Sequence, residues 1–331
     1  MKRIAKNLPD PNWEPPVGAW ESQLPQDLKS AICYLGYQGD EDRGGEFRNQ
    51  VAARTSSNVS DIHVEYAKFS DQDGLLNTVA IIYFRRQLAF AKWREINIDE
   101  LIASFADGGG VWLENFPIAS RDIETLFSSD DQSPGIAQFG SGVGAPMQLH
   151  GYYGSMRDRL YSSNESDHAS KVKALSPTPE QHGGGVAKLE APANICAIRS
   201  GQDWSRCQGA QRDFYVNELM PVLKAGMKFL RDNPVDTGCI SCRFMTETDE
   251  SGNEKERTFG YALFRDIADL EAWAKSHPTH LAIFEKFMEY AVAFDNNIDL
   301  RLWHEVLVMP KPETFSYANC SPNTGLLPYF L

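Results

Sequence analysis

At 331 residues, 42% of them hydrophobic, the chain is long enough to bury the core of one large or two ordinary domains. Its formal net charge of −13 excludes a partner held mainly through phosphates, which needs a surplus of Lys and Arg on one face, so nucleic acid is not an expected partner. No run approaches the ~20 apolar residues of a membrane helix, and the opening MKRIAKNLPDPNWEPP turns to Pro and Asp after a few basic residues, as a surface arm does and a signal peptide does not. A cytoplasmic protein with no membrane contact is the expectation.

In chain order, AICYLGYQ reads as a strand, GEFRNQVAA as a helix, DIHVEYAKFS and LNTVAIIYF as strands, and QLAFAKWREI as a helix. DGGGVW and FGSGVGAP are rich in glycine. Neither has the strand-to-helix context or the terminal Lys of a phosphate-cradling loop, so nucleotide binding is discounted. Residues 161–194 are rich in Ser, Pro and Gly without sustained periodicity and read as a long connecting loop, in which His168 and His182 are expected to be solvated.

The order then repeats. NICAIRSGQ is a strand, FYVNELMPVLKAGMKFLRD a long amphipathic helix, TGCISCRFMTE and RTFGYALF strands, and IADLEAWAKS a helix. YFRRQLAFAKW at residues 83–93 echoes LFRDIADLEAW at 263–273, matching Phe84 with Phe264, Arg85 with Arg265 and Trp93 with Trp273. An "IC" pair at Ile32 and at Ile195 opens each half. Strand, helix, strand, strand, helix, strand is the split βαβ arrangement. Against chance similarity of amphipathic segments, the expected fold is α+β: two tandem ferredoxin-like halves, residues 1–160 and 194–331 joined by the loop 161–193, with antiparallel sheets packed as a barrel-like core and helices outside.

The six cysteines form no dense disulfide framework and read as reduced. CISC at 239–242 has thioredoxin-like spacing, but it lies in a strand-like run with Arg243 after it, and buried structural thiols are the favoured reading.

After IADLEAWAKS the second half inserts PTHLAIFEKFMEYAVAF. Ser276 can cap this helix and Pro278 suits its first turn, leaving His277 near the cap and exposed. Helical spacing puts His280, Phe284, Phe287 and Ala291 on one stripe, flanked by Leu281, Ile283 and Met288. An imidazole on an apolar stripe is often a hydrogen-bonded core residue. Here the neighbours are the large aromatic and thioether types that would line a flat macrocycle. HPTH lacks the i, i+4 pair and third ligand of a helical zinc site.

LRLWHEVLV alternates as a strand and puts His304 on the face of Leu302, Val306 and Val308. In ICAIRSGQDW, Ser200 continues the face of Cys196 and Ile198, as a turn-forming serine or as a donor beside a pocket. HGYYGSMRDRL combines glycines that permit close backbone approach with arginines that can hold an anion, or that simply cap a turn.

Taken together and in order, HGYYGSMRDRL, IRSGQDW, FLRDN, SHPTHLAIF and LRLWHEV resemble the haem-containing aldoxime dehydratases, over roughly residues 124–325. The resemblance implies haem b held without covalent attachment and active with ferrous iron, in a body related to chlorite dismutases and dye-decolourising peroxidases, assembled as a homodimer. It implies that His280 is the iron ligand and His304 the distal acid and base. Ser200 would hydrogen-bond the substrate oxygen, accompanied by a distal Arg159, with Arg157 as the alternative, and by Glu124. Ser321 stands where a histidine is expected, and no chemistry is attached to it. The implied activity is dehydration of an aldoxime, R–CH=N–OH, to a nitrile, with the oxime nitrogen on the iron. A peroxidase-like or chlorite dismutase-like haem oxidoreductase and a non-catalytic haem sensor are the alternatives on the same scaffold.

Overall fold

A computed structural model describes residues 18–56, 60–147, 150, 155–178 and 184–330. The first half runs β1 (Lys29–Gln38), α1 (Glu41–Thr55), β2 (Ile62–Ser70), β3 (Leu76–Phe84), α2 (Gln87–Phe105) and β4 (Gly110–Ala119). Then come β5 (Ile123–Phe127), α3 (Ser155–Arg159) and β6 (Val186–Ala191). The second half runs β7 (Cys196–Asp203), α4 (Gly209–Phe214), a π-helical turn (Tyr215–Leu219), α5 (Met220–Asp232) and α6 (Pro234–Thr237). It continues through β8 (Cys239–Thr248), β9 (Glu254–Phe264), α7 (Ile267–Ser276), α8 (Pro278–Ala293) and β10 (Arg301–Val308), and β11 (Glu313–Ala318) and α9 (Leu327–Phe330) close the chain.

The strands form one antiparallel sheet in the order β5-β10-β7-β9-β8-β2-β3-β1-β4-β11-β6. Both halves use the same local order, β4-β1-β3-β2 and β10-β7-β9-β8, and they join through their second strands, where Ala67 faces Glu247. The inner faces of the two quartets pack on each other. Ile32, Tyr34 and Ile81 share a core cluster with Met245, Tyr261 and Leu263, and the rings of Tyr34 and Tyr261 stack with centroids 3.9 Å apart.

Helices cover the outer faces. Phe47 of α1 and Phe90, Trp93 and Leu101 of α2 pack on Ala31, Cys33 and Leu35. On the other half, Leu230 of α5 and Leu270 and Trp273 of α7 pack on Cys196, Ala262 and Val306. β1 is therefore buried on both faces, which is why its sequence is almost continuously apolar.

The structure corrects several expectations. The core is not closed into a barrel, because the end strands β5 and β6 do not pair with each other; both are short, which limits the exposed edge they leave. Phe84 pairs with Ala31 and Phe264 with Cys196, so Ala31 corresponds to Cys196 and the two "IC" pairs are two residues out of register. The connecting segment contributes β6, which extends the first half's edge through β11. His168 is buried, 5% exposed, in a left-handed backbone conformation, with Nε2 3.3 Å from the Ser162 hydroxyl. His182 and the opening arm lie outside the described residues. All six cysteines are buried and unpaired. No helix of the described residues is long and apolar enough to cross a membrane.

Candidate active site

β5, β10, β7, β9 and β8 are neighbours, and their register puts Leu126, His304, Ser200, Gly260 and Phe244 in one line across the sheet. Directly opposed residues of antiparallel strands point to the same face, so His304 and Ser200 stand side by side on the helix-covered side. Glu124, two residues before Leu126, shares that face. Its Oε1 lies 2.8 Å from His304 Nε2, within ion-pair distance. Arg159 Nε donates to the other oxygen at 2.7 Å, and an Arg159 terminal nitrogen lies 3.4 Å from His304 Nε2.

The Glu124 and Arg159 side chains are each 1% exposed, whereas His304 is 22% exposed. The ion pair is thus sealed behind an imidazole that other molecules can reach. Burial alone would raise the Glu124 carboxyl, but the charges of Arg159 and His304 outweigh it and hold the group at about 2. The carboxylate stays ionised between Arg159 and His304.

The structure separates the two candidate arginines. Arg159 joins Glu124 and His304, while Arg157 turns the other way and forks onto Glu271 of α7 at 2.9 to 3.1 Å. Two residues apart on a single helical turn, they point to different faces. Ser321 bonds Asp73 through its hydroxyl and Gln38 through its N–H, partners distinct from those of the His304 row.

His280 owes its place to a break in a helix. The first half continues α2 unbroken to Phe105, but the second half stops α7 at Ser276, and Pro278 opens α8 at its first turn. The cap is His277, not Ser276: its Nδ1 accepts from the Thr279 N–H at 3.3 Å, while Ser276 bonds back to Ala272. His277 is half-buried against Phe229. His280 is half-buried too, its ring edge-on to Trp273 with centroids 4.5 Å apart. Burial lowers its pKa to about 4, against the opposing pull of a hydrogen bond with the Ala274 backbone. At neutral pH the ring is uncharged, and a neutral imidazole whose orientation is set by a backbone carbonyl is the form that binds a metal.

α8 borders the His304 row on two sides. Its Ile283 packs with Ile198 and Val306, while its Phe287 and Tyr290 pack with Leu300 and Leu302, and these apolar clusters stay separate. Only Tyr290 and Ala291 of the helix are buried, and Phe284, Met288 and Val292, one stripe at fourfold spacing, remain 36%, 38% and 69% exposed. The donor set therefore suits a haem: one neutral imidazole for the iron, on a helix that keeps Phe284, Met288 and Val292 out of the protein core. Sequence reasoning did not single out Gly260, Trp273 or the Ala274 carbonyl. The echo with Trp93 marked Trp273 only as a repeated position.

An uncharged imidazole on an apolar helix, beside a sheet face carrying His304, Ser200 and Glu124 with Arg159 of α3 against it, suits an α+β protein that binds a flat cofactor. The chain belongs to the haem-containing dehydratases, whose family model matches residues 33–326. It is 32% identical to an aliphatic aldoxime dehydratase of Pseudomonas sp., over 98% of this chain and 94% of that one. It is 30% identical to the phenylacetaldoxime dehydratase of Bacillus sp. (strain OxB-1), over 98% and 95%. A crystal structure of an aldoxime dehydratase in complex with butyraldoxime superposes with a TM-score of 0.88 at 28% identity, covering 99% of this chain and 94% of that one.

Proposed function

We infer that this protein is a lyase that dehydrates aldoximes to nitriles with the aid of haem. The observation that carries the reading is the reachable His304 backed by the sealed Glu124–Arg159 pair, in a chain of the haem-containing dehydratase family. The reaction R–CH=N–OH → R–C≡N + H₂O loses hydroxide from nitrogen and a proton from carbon, with no net oxidation. His280 would hold haem b, which in its ferrous state would supply an electron-rich iron to help break the N–O bond. His304 gives a proton to the departing oxygen, then takes the proton from carbon, so it ends as it began. Transfer of this kind is typically worth about 10²- to 10⁴-fold. Ser200, its cross-strand neighbour, holds the oxygen within reach. Glu124 keeps the imidazole turned toward the substrate, and Arg159 keeps Glu124 ionised.

The matching strand orders support reading residues 1–160 and 194–331 as ferredoxin-like halves about the segment 161–193. The buried unpaired thiols suit a reducing cytoplasm. A homodimer is the proposed assembly, to be checked by light scattering on the eluted protein. The function is tested anaerobically: butyraldoxime is added to haem-loaded, dithionite-reduced protein, and nitrile is measured by gas chromatography. Nitrile formed without peroxide supports the lyase, and turnover only with peroxide sinks it in favour of an oxidoreductase.

A further inference from the structure

On the inner side of the sheet, directly behind the site, lies a second polar cluster. Arg199 and Glu305 face each other across β7 and β10 and immediately adjoin Ser200 and His304, which form the next pair in the same ladder. Both are fastened to the opposite half of the molecule. Arg199 bonds Glu65 of β2 and donates at 2.8 Å to the hydroxyl of Tyr83 on β3, which in turn donates to Glu305. The Ile136 N–H donates to Glu305 at 3.2 Å and the Gly135 N–H to Glu65 at 2.9 Å. Within its own half, Arg199 also bonds Glu247 at 3.0 Å and lies over the rings of Phe259 and Trp303.

The register supplies an internal control. Gly36 pairs with Trp112 and Gly201 with Trp303, and a Cβ on either glycine would come within 2.1 Å of the indole, so the two pairs are equivalent positions. Two residues beyond each tryptophan stand Glu114 and Glu305. Glu114 is pinned across the halves in the same way, by both terminal nitrogens of Arg243 at 2.7 Å and by the Tyr261 hydroxyl at 2.9 Å. The ladder pair next to it, however, is Leu113 and Leu35, with no chemistry to position. Two cross-half clusters thus back two equivalent strand pairs, of which one carries His304 and Ser200.

We propose that Arg199 and Glu305, coupled through Tyr83, are positioning residues by which the first half sets where Ser200 and His304 stand. This rests on the function read above. The outward and inward side chains of adjacent residues share one backbone, so tethering Arg199 and Glu305 to β2 and β3 limits how far the outward pair can slide or tilt. Displacements of about 1 Å cost reactions of this kind up to about 10²-fold.

The test compares Tyr83→Phe with Tyr261→Phe, each of which deletes one hydroxyl from one cluster and keeps the ring. In full-length haem-loaded protein, one measures the melting temperature, kcat and KM for butyraldoxime, and the ring-nitrogen NMR signals of His304, assigned by their loss in His304→Ala. Both variants should melt lower. Tyr83→Phe alone should lose about tenfold in kcat with KM held within about twofold, and shift the His304 signals. Equal kcat in the two variants, whether both fall or neither does, overturns the proposal, as does a His304 signal that stays in place. If Tyr83→Phe does not fold, Glu305→Gln against Glu114→Gln gives the same reading. Should the parent protein form no nitrile, the assigned function fails, and the His304 signal alone decides the positioning role.

Discussion

The two halves of this molecule carry the same ladder with different contents. Where the second half sets His304, Ser200 and Gly260 in a line, the first half sets Leu113, Leu35 and Ala80. Leu113 and Leu35 are fully buried under α1 and α2, whereas His304 and Ser200 are half-exposed. Above each ladder a helix begins at the same place, but α2 runs on and covers its row, while Pro278 breaks the chain into α7 and α8 and brings in His280. One scaffold thus gives a filled core on one side and a site on the other. The change is local: a few polar or small residues on adjacent strands and one helix break. What the second half loses in apolar packing, it regains in reactive side chains held at fixed spacing.

The sharpest break in this comparison is His280→Ala. With the proposed iron ligand gone, the protein should purify folded but without the visible absorption of haem, and activity should vanish with it; retained haem with an unchanged spectrum refutes the ligand. Next comes His304→Ala, which should keep the haem spectrum while kcat falls about 10²- to 10⁴-fold. A parental rate in that variant would mean that the acid lies elsewhere. The mirror experiment, Leu113→Ala, should cost about 2–5 kcal/mol of stability by opening a cavity in the first half, with haem content and kcat unchanged. Chemical denaturation and a steady-state assay on the same sample decide it.

The smallest expected effect concerns acid. Despite burial, Arg159 and His304 hold the Glu124 carboxyl at about 2 in the folded protein, against an ordinary 4.5. A depressed folded pKa stabilises the fold fully above the unfolded value, and that contribution is lost as pH falls from about 4.5 toward about 2. Glu124→Gln should therefore lose stability less steeply than the parent across that window, in urea midpoints taken at a series of pH values. An equal slope would mean that Glu124 is not ionised against Arg159.

Periodicity alone placed most strands and helices, because β1 and β10 alternate or run apolar according to whether one or both faces are covered, and because Pro278 marks a helix start in any context. The amphipathic stripe of α8 likewise announced His280, and the alternation of LRLWHEVLV set His304 on the face of its apolar neighbours. Pairing between distant strands was not readable in this way. That β5 would join β10 and deliver Glu124 to His304, that β6 and β11 would extend the first half, and that the sheet would stay open depend on contacts far apart in sequence, for which no local pattern codes. The same holds for the choice between Arg157 and Arg159. Both lie on one short turn of similar composition, and only the positions of Glu271 and Glu124 around it separate them. Sequence by itself determined which residues could do chemistry and which way each would face along its own element, since those follow from the geometry of one helix or strand. Tertiary structure decided which of them meet, because a buried charge settles where its partner is, and the partner's place is a property of the whole fold.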